Sequence, residues 1–196
     1  MANYQATKAF YPASIYKLLL LPSLFDKAPL DTWGQLIPTG SGKMVLSDCV
    51  DKMIRLSDNN CGAAVGSWLN WNKVQKQLSA MGLSGTNLAT REDKVHTTAG
   101  DVSRLLNQWY QSQSGIPAGQ FVLSSMQRQI YRKGIQAGSP GCTVYDKVGD
   151  LNGYRHDAAI VDCGDVSYSL VIMSKGGSYA QIADLATQIN AIMAAG

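Results

Sequence analysis

The dipeptide Asn152-Gly153 is the strongest local constraint in this chain. Asn-Gly between two apolar runs supplies the positive-φ residues that a two-residue hairpin turn requires. Both runs are present, and residues 143–148 and 158–161 read as strands. A two-residue tip sets the register, because residues equally far from it stand opposite each other. Cys142 and Cys163 are each ten positions from the tip, so a cross-strand disulfide follows unless a bulge shifts the register. Cys49 and Cys61 then remain as a second pair by elimination. The alternative is four reduced cysteines buried in a cytosolic protein, since free cysteine is a common core residue.

Length and composition narrow the class. The 196 residues suit one domain over 1–196, long enough to bury its own core. With 45% hydrophobic and 16% charged residues, a disordered chain, a long coiled coil and a collagen-like repeat are excluded. The apolar run Leu18 to Leu21 stops at Pro22, and no apolar run in the sequence approaches the length needed to cross a bilayer. A net charge of +3 without a basic run argues against nucleic acid as a partner. There is no C-x-x-C, and His96 and His156 are 60 positions apart, so no metal site is expected, nor any cofactor. Of the fourteen acids thirteen are aspartate, and the lone glutamate is Glu92.

Apolar spacing and capping signals predict a helix from Ser14 through Leu21, perturbed at Pro22, then a Gly- and Pro-rich loop over 34–43. Ser47 reads as the cap of a helix over 48–56. Further helices are expected at 61–69, at 73–81 capped by Asn72 and stopped by Gly82, at 100–110 and at 124–133. The hairpin follows, then a strand at 167–174 and a helix at 179–193. Helices first, antiparallel strands next and a terminal helix last describe an α+β fold.

Three short segments bear reactive groups. Ser14-Ile15-Tyr16-Lys17 places a hydroxyl and an amine one turn apart on one helix face. Serine is a poor nucleophile until a base takes its proton, and lysine is that base only when its pKa is lowered. Taken alone, the pattern reads equally as a capping serine beside a surface lysine. Ser57-Asp58-Asn59 lies between two helices, and Lys147-Val148-Gly149 lies on the first hairpin strand. Lysine is an odd residue for a core-facing strand position.

S-x-x-K, S-D-N and K-x-G in this order resemble the signature of class A β-lactamases and penicillin-binding proteins. The likeness extends from about Phe10 to the C-terminus. Phe10-Tyr11-Pro12-Ala13-Ser14 is similar to the family's approach to its nucleophile, and Thr97-Thr98-Ala99-Gly100-Asp101 to the helix start after its omega loop. The run from Arg155 to Val161 is similar to the strand facing the K-[TS]-G strand. The compact β-lactamase-like serine hydrolases resemble it more than the resistance enzymes do. The implied fold is β-lactamase/transpeptidase-like, an antiparallel sheet flanked by helices.

The resemblance assigns roles residue by residue. Ser14 is the nucleophile that is acylated, Lys17 its base or proton relay. Ser57 passes a proton to the leaving nitrogen with electrostatic help from Lys147. Asn59 binds the substrate's side-chain amide. The backbone N–H groups of Ser14 and Asp150, following Gly149, form the oxyanion hole. Tyr16 is read as helix packing and Asp58 as a loop anchor.

Three departures qualify these roles. Val148 stands where the family keeps a hydroxyl for the substrate carboxylate. Losing such a bond to a charged group costs about 1.5–3 kcal/mol. Arg155, two residues past the hairpin tip, is the candidate that compensates with a bidentate fork, or else a solvated strand-end arginine. The omega loop is short, and Glu92 and Asp93 are the only candidates for the deacylating carboxylate, in a charged run that reads first as a solvated loop. Finally, thirteen residues before Ser14 cannot supply the family's N-terminal helix and strands. Either the N-terminus is trimmed or another chain, a partner or a dimer mate, covers the sheet edge.

The expected function is therefore that of an enzyme, a serine acyl-transfer hydrolase reacting with β-lactams or D-Ala-D-Ala-type wall peptides, with slow deacylation. The alternatives are a catalytically weak binding or scaffold domain and an esterase or amidase on the same fold. Disulfides imply an extracytoplasmic location, periplasmic or secreted. The signal peptide this requires is absent after Met1, and processing or cloning removes such segments.

Overall fold

The computed structural model describes residues 3–194. In chain order, β1 (Ala9–Phe10) leads into a 3₁₀ turn (Ala13–Ile15), α1 (Tyr16–Leu19) and α2 (Leu21–Lys27). β2 (Leu36–Thr39) and β3 (Gly42–Val45) precede three helices, α3 (Leu46–Arg55), α4 (Asn59–Leu69) and α5 (Trp71–Ala80). β4 (Thr97–Thr98), α6 (Ala99–Gln113) and α7 (Pro117–Gln127) come next. The chain closes with β5 (Thr143–Leu151), β6 (Tyr154–Asp162), β7 (Ser167–Lys175) and α8 (Tyr179–Ala194). This is the expected α+β order.

The principal sheet has the order β5-β6-β7, all antiparallel. Leu151 faces Tyr154 across the Asn152-Gly153 tip, and pairing runs without a slip to Thr143 opposite Asp162. Asn152 and Gly153 have φ of 47° and 82°, the left-handed values the turn demands. Just beyond the paired ends Cys142 and Cys163 form a disulfide, and a second joins Cys49 to Cys61, tying α3 to α4.

Side chains of β6 alternate between two apolar clusters, as a strand buried on both faces requires. Ala158 and Ile160 face the large cluster built on α1 to α7, whereas Ala159 and Val161 face a smaller one closed by Ile182 and Ala186 of α8. At the heart of the large cluster lie Leu18, Leu19, Leu20, Leu21 and Leu24, all essentially inaccessible. Apolar groups on every side make this the central helical segment, each leucine contributing about 1.5–3 kcal/mol by leaving water. The reactive segment Ser14 to Lys17 sits at its N-terminal end.

Several local expectations move. The helix expected from Ser14 is broken into a 3₁₀ turn, α1 and α2, with Pro22 in the first turn of α2, where its missing N–H costs nothing. The expected loop over 34–43 contains the β2–β3 hairpin, turning at Gly40-Ser41 with Thr39 opposite Gly42. Ser47 does not cap α3, because carbonyls of Trp33 and Gln35 already accept from the N–H groups of Ser47 and Leu46. Asn70 rather than Asn72 caps α5, its Oδ1 accepting from the N–H groups of Asn72 and Lys73. The helix expected at 124–133 is α7, started earlier by Pro117. Residues 128–132 instead turn to the sheet: Gln129 and Arg132 both donate to the buried carboxylate of Asp146.

Closing the Cys142–Cys163 loop of sequence separation 21 removes chain entropy from the unfolded state equivalent to about 3 kcal/mol. The Cys142→Ser/Cys163→Ser double variant should lose about that much in urea unfolding. An unchanged midpoint would show that the bridge adds nothing to this hairpin.

Candidate active site

Ser14 is delivered by strain on one side and a helix on the other. Ala13 before it has φ 44°, and the Ile15 N–H donates to Pro12 C=O to close the 3₁₀ turn. Non-glycine residues in this region cost of order 1–3 kcal/mol and persist only where the surroundings impose them. The constraint comes from the sheet. His156 on β6 bonds through Nε2 to Tyr11 C=O at 2.8 Å, while its Nδ1 accepts from the Ser174 N–H. That pattern defines the Nε2–H tautomer, and burial holds the His156 pKa below its usual value, so the ring is a neutral strut. The sequence presented His156 only as a negative, a histidine without a metal partner.

Gly149 on β5 completes the approach. A Cβ there would lie 3.0 Å from Pro12 O and 3.1 Å from Ile15 Cγ1. Only glycine lets β5 run this close to the turn carrying Ser14, so Gly149 brings Asp150 toward it by absence of a side chain.

Lys17 is fully buried, and its Nζ reaches four oxygens. It donates to Ser57 C=O at 2.6 Å and to Asn59 Oδ1 at 2.8 Å, and stands 3.0 Å from Ser14 Oγ and 3.4 Å from Ser57 Oγ. The carbonyl and amide oxygens can only accept, so two N–H bonds are committed. The direction toward Ser14 then holds a third N–H in the cation or the lone pair in the neutral amine. Burial pulls the Lys17 pKa down to about 8, against an opposing pull from Asp58. This is the geometry of a base aimed at a serine.

Ser57 receives both lysines. Its φ of 57° turns the residue between α3 and α4 so that the carbonyl meets Lys17 while Oγ accepts from Lys147 Nζ at 2.8 Å. Asp58 caps α4, its Oδ1 accepting from the Cys61 N–H at 2.8 Å, and Asn59 opens the first turn. Lys147 stands opposite Ala158, on the face of the sheet that meets the large cluster, and also donates to Val148 C=O. Burial first and the charge of Lys17 second lower its pKa to about 7, while Asp146 and Asp157 pull the other way. Those two buried carboxylates belong to the opposite face, Asp157 facing Val148, and burial raises both their pKa values. A continuous path Ser14–Lys17–Ser57–Lys147 results.

A glycine keeps Lys17 straight. A Cβ on Gly62 of α4 would fall 2.3 Å from Tyr16 Oη and 2.7 Å from Lys17 Cε. Tyr16 packs its ring 5.9 Å from that of Trp71, and burial raises its pKa to about 12, so it remains a neutral phenol.

The remaining candidates are placed differently. Val148 is buried and presents no donor. Arg155 stands opposite Asp150, its Nε 3.7 Å from Asp150 Oδ2. Glu92 lies on the 3₁₀ turn Glu92–Lys94, and its side chain is outside the described residues. The loop carrying that turn is pinned at its base by reciprocal bonds between Asn87 and His96. Asp93 pairs with Arg91 at the exposed tip. Toward Tyr11 and Tyr16 the same loop turns Leu88, Ala89 and Thr90, which line a cavity of about 580 Å3 with them. Among the described residues no cluster of three metal-ligating side chains forms.

Two measurements test this geometry. Labelling of Ser14 by a fluorophosphonate probe should rise with pH as Lys17 loses its proton, pass half its plateau near pH 8 and level off about one unit higher. At pH 7 it should stand near a tenth of the plateau. A rate flat between pH 6 and 9 would remove Lys17 as the base. Gly62→Ala should slow labelling by about tenfold or more through displacement of Lys17, with the melting temperature as control.

Known proteins place this architecture. The chain superposes on a mutant of PBP-A solved as an acyl-enzyme complex with penicillin G, with a TM-score of 0.86 at 18% identity, covering 99% of this chain and 85% of that one. The TLA-3 extended-spectrum beta-lactamase matches with a TM-score of 0.84 at 16% identity, over 97% and 87% of the two chains. A class A beta-lactamase representative from Bacteroides cellulosilyticus matches with 0.79 at 19%, over 96% and 87%. At such identities the likeness is one of fold. No curated protein sequence matches. The family model described as the beta-lactamase enzyme family matches residues 1–194, and the chain belongs to that family.

Proposed function

We propose that this protein is a serine acyl-transfer hydrolase that takes a β-lactam or a D-Ala-D-Ala-type wall peptide onto Ser14 and releases the acyl group slowly. The observation that carries the reading is the unbroken path Ser14–Lys17–Ser57–Lys147 through two buried lysines of lowered pKa. Ser14 Oγ attacks the substrate carbonyl and its proton passes to neutral Lys17. The new C–O bond forms, the C–N bond breaks, and Ser57 Oγ protonates the departing nitrogen. Ser57 recovers its proton from Lys17, which holds the one taken from Ser14, and the path returns to its starting state with Lys147 unchanged. Backbone N–H groups of Ser14 and Asp150 hold the oxyanion, a role supported by the close passage of β5 at Gly149 and worth several kcal/mol in such sites. Asn59, already accepting from Lys17 through Oδ1, keeps its NH₂ for a substrate carbonyl.

Slow release follows from what the short loop offers. Deacylation needs a water activated by a base. Asp93 is engaged by Arg91, and the loop residues that line the cavity with Tyr16 are Leu88, Ala89, Thr90 and Val95, none of them a base. Val148 gives a substrate carboxylate no hydrogen bond, and Arg155 is shared with Asp150, so carboxylate binding is weaker by about one to two powers of ten. Glu92 is the one residue that could reverse the assignment, and Glu92→Gln should leave the acyl-enzyme lifetime unchanged. Two disulfides support an extracytoplasmic setting.

Intact-mass measurement over time with penicillin G tests the reading. A persistent penicilloyl adduct that disappears in Ser14→Ala supports it. An adduct that forms and clears within seconds, with hydrolysed product accumulating, would make the protein a β-lactamase with fast turnover. No adduct at any time would leave a binding domain, or an esterase or amidase.

A further inference from the structure

Lys17 and Lys147 end on long flexible stems, so the serine between them must be held by something other than the two lysines. Ser57 sits at positive φ, a region that a non-glycine residue keeps only where its surroundings impose it. Around it, the N–H groups of Leu56 and Asp58 both donate to Lys52 C=O, and Asp58 Oδ1 caps α4. These bonds stay within the loop and its two helix ends. They fix the shape of the loop, not the placing of α4 against α3.

That placing is set by a covalent link. Cys49 of α3 is bonded to Cys61 in the first turn of α4, with 5.1 Å between their Cα atoms. The bridge closes a ring of sequence separation 12 in which Ser57, Asp58 and Asn59 all lie. Both cysteines are buried, and Cys61 Sγ also meets Met44 Sδ of β3 at 3.6 Å. The next residue, Gly62, is the one whose Cβ would strike Lys17 Cε. Beside the bridge, α4 therefore stands at its closest approach to Lys17, with no slack for a small shift. Cys142–Cys163, by contrast, joins the ends of β5 and β6 beyond Thr143 and Asp162, outside the segments that carry Ser14, Lys17 and Ser57.

We propose that the Cys49–Cys61 disulfide is a positioning element of the acyl-transfer site, holding the Ser57 loop and α4 in register with Lys17; the assignment rests on the chemistry proposed at Ser14. The bridge touches no reacting atom and acts through Ser57 and Gly62. With the bridge opened, α4 is free to move against α3, and Ser57 relaxes from positive φ. Its carbonyl then leaves Lys17 Nζ and its Oγ leaves Lys147 Nζ, the contacts it makes at 2.6 and 2.8 Å. The charged groups facing Lys17 are Asp58 on this loop and Lys147 across Ser57, with the neutral phenol of Tyr16 beside it. Burial outweighs them, so water admitted by the loosened loop moves the Lys17 pKa back up.

The test compares Cys49→Ala/Cys61→Ala with the unaltered chain and with Cys142→Ser/Cys163→Ser, each well below its melting temperature. In Cys49→Ala/Cys61→Ala the plateau of fluorophosphonate labelling at Ser14 should fall by about tenfold, and its pH midpoint should rise above about 8. The Cys142→Ser/Cys163→Ser chain should keep both values. A plateau and midpoint unchanged in Cys49→Ala/Cys61→Ala overturn the proposal, however far its melting temperature falls. An equal change in both variants overturns it too, because general loosening of the fold would then suffice. Should Cys49→Ala/Cys61→Ala not fold, a dithiol applied to folded Cys142→Ser/Cys163→Ser opens the same bridge, with the same result expected. In that step the disulfide gains two electrons and two protons and the dithiol closes to a cyclic disulfide. If the unaltered chain takes no label, the acyl-transfer reading fails, and NMR titration of the Lys17 amine in the same chains decides the positioning by itself.

Discussion

A fully buried lysine nitrogen surrounded by oxygen acceptors is the constraint on which the site rests. Two of its hydrogens go to the carbonyl of Ser57 and to Asn59 Oδ1, which leaves one direction, and that direction is Ser14. Burial lowers the cost of losing the third proton, so one environment both orients the amine and brings its deprotonation closer to neutral pH. The neighbouring backbone is bent to serve this arrangement. Positive φ at Ala13 and Ser57 and the missing side chains of Gly62 and Gly149 let three chain segments converge on Lys17 and its serine.

The sheet divides charge. Period-two alternation puts Lys147 on the face of the helices and Asp146 and Asp157 on the face of α8, so the cation meets Ser57 while the carboxylates stay behind the strand. Burial first, and the charge of Lys17 across Ser57 second, then lower the pKa of Lys147. Fixed donors and charges in a dry pocket stabilise developing negative charge far better than solvated ones. Strand parity also puts Val148 on the face away from Lys147, and Asp93, in the loop pinned by Asn87 and His96, pairs with Arg91.

Much of this was legible in the chain because it is local. Asn152-Gly153 specifies its own turn, and the turn specifies nine cross-strand pairs and the neighbourhood of Cys142 and Cys163. The i, i+3 spacing of Ser14 and Lys17 puts them on one helix face in any context. Local signals misled where tertiary contacts replaced them. Ser47 is a good cap residue, yet two loop carbonyls had already taken its helix's free N–H groups. The Gly40-Ser41 turn was hidden in a run rich in glycine and proline, although its hairpin signal was present.

What the sequence by itself determined is the inventory and its order: the serine–lysine pair, the two polar segments that follow, and the hairpin register that brings Cys142 opposite Cys163. Each depends on spacing along the backbone or on turn chemistry, which the chain carries wherever it folds. The tertiary structure alone decided which partners those groups have. That Lys17 meets Ser57 across 40 positions and that His156 braces the turn before Ser14 both depend on long-range packing. Such contacts arise only when apolar burial brings distant segments together, and no local pattern encodes them.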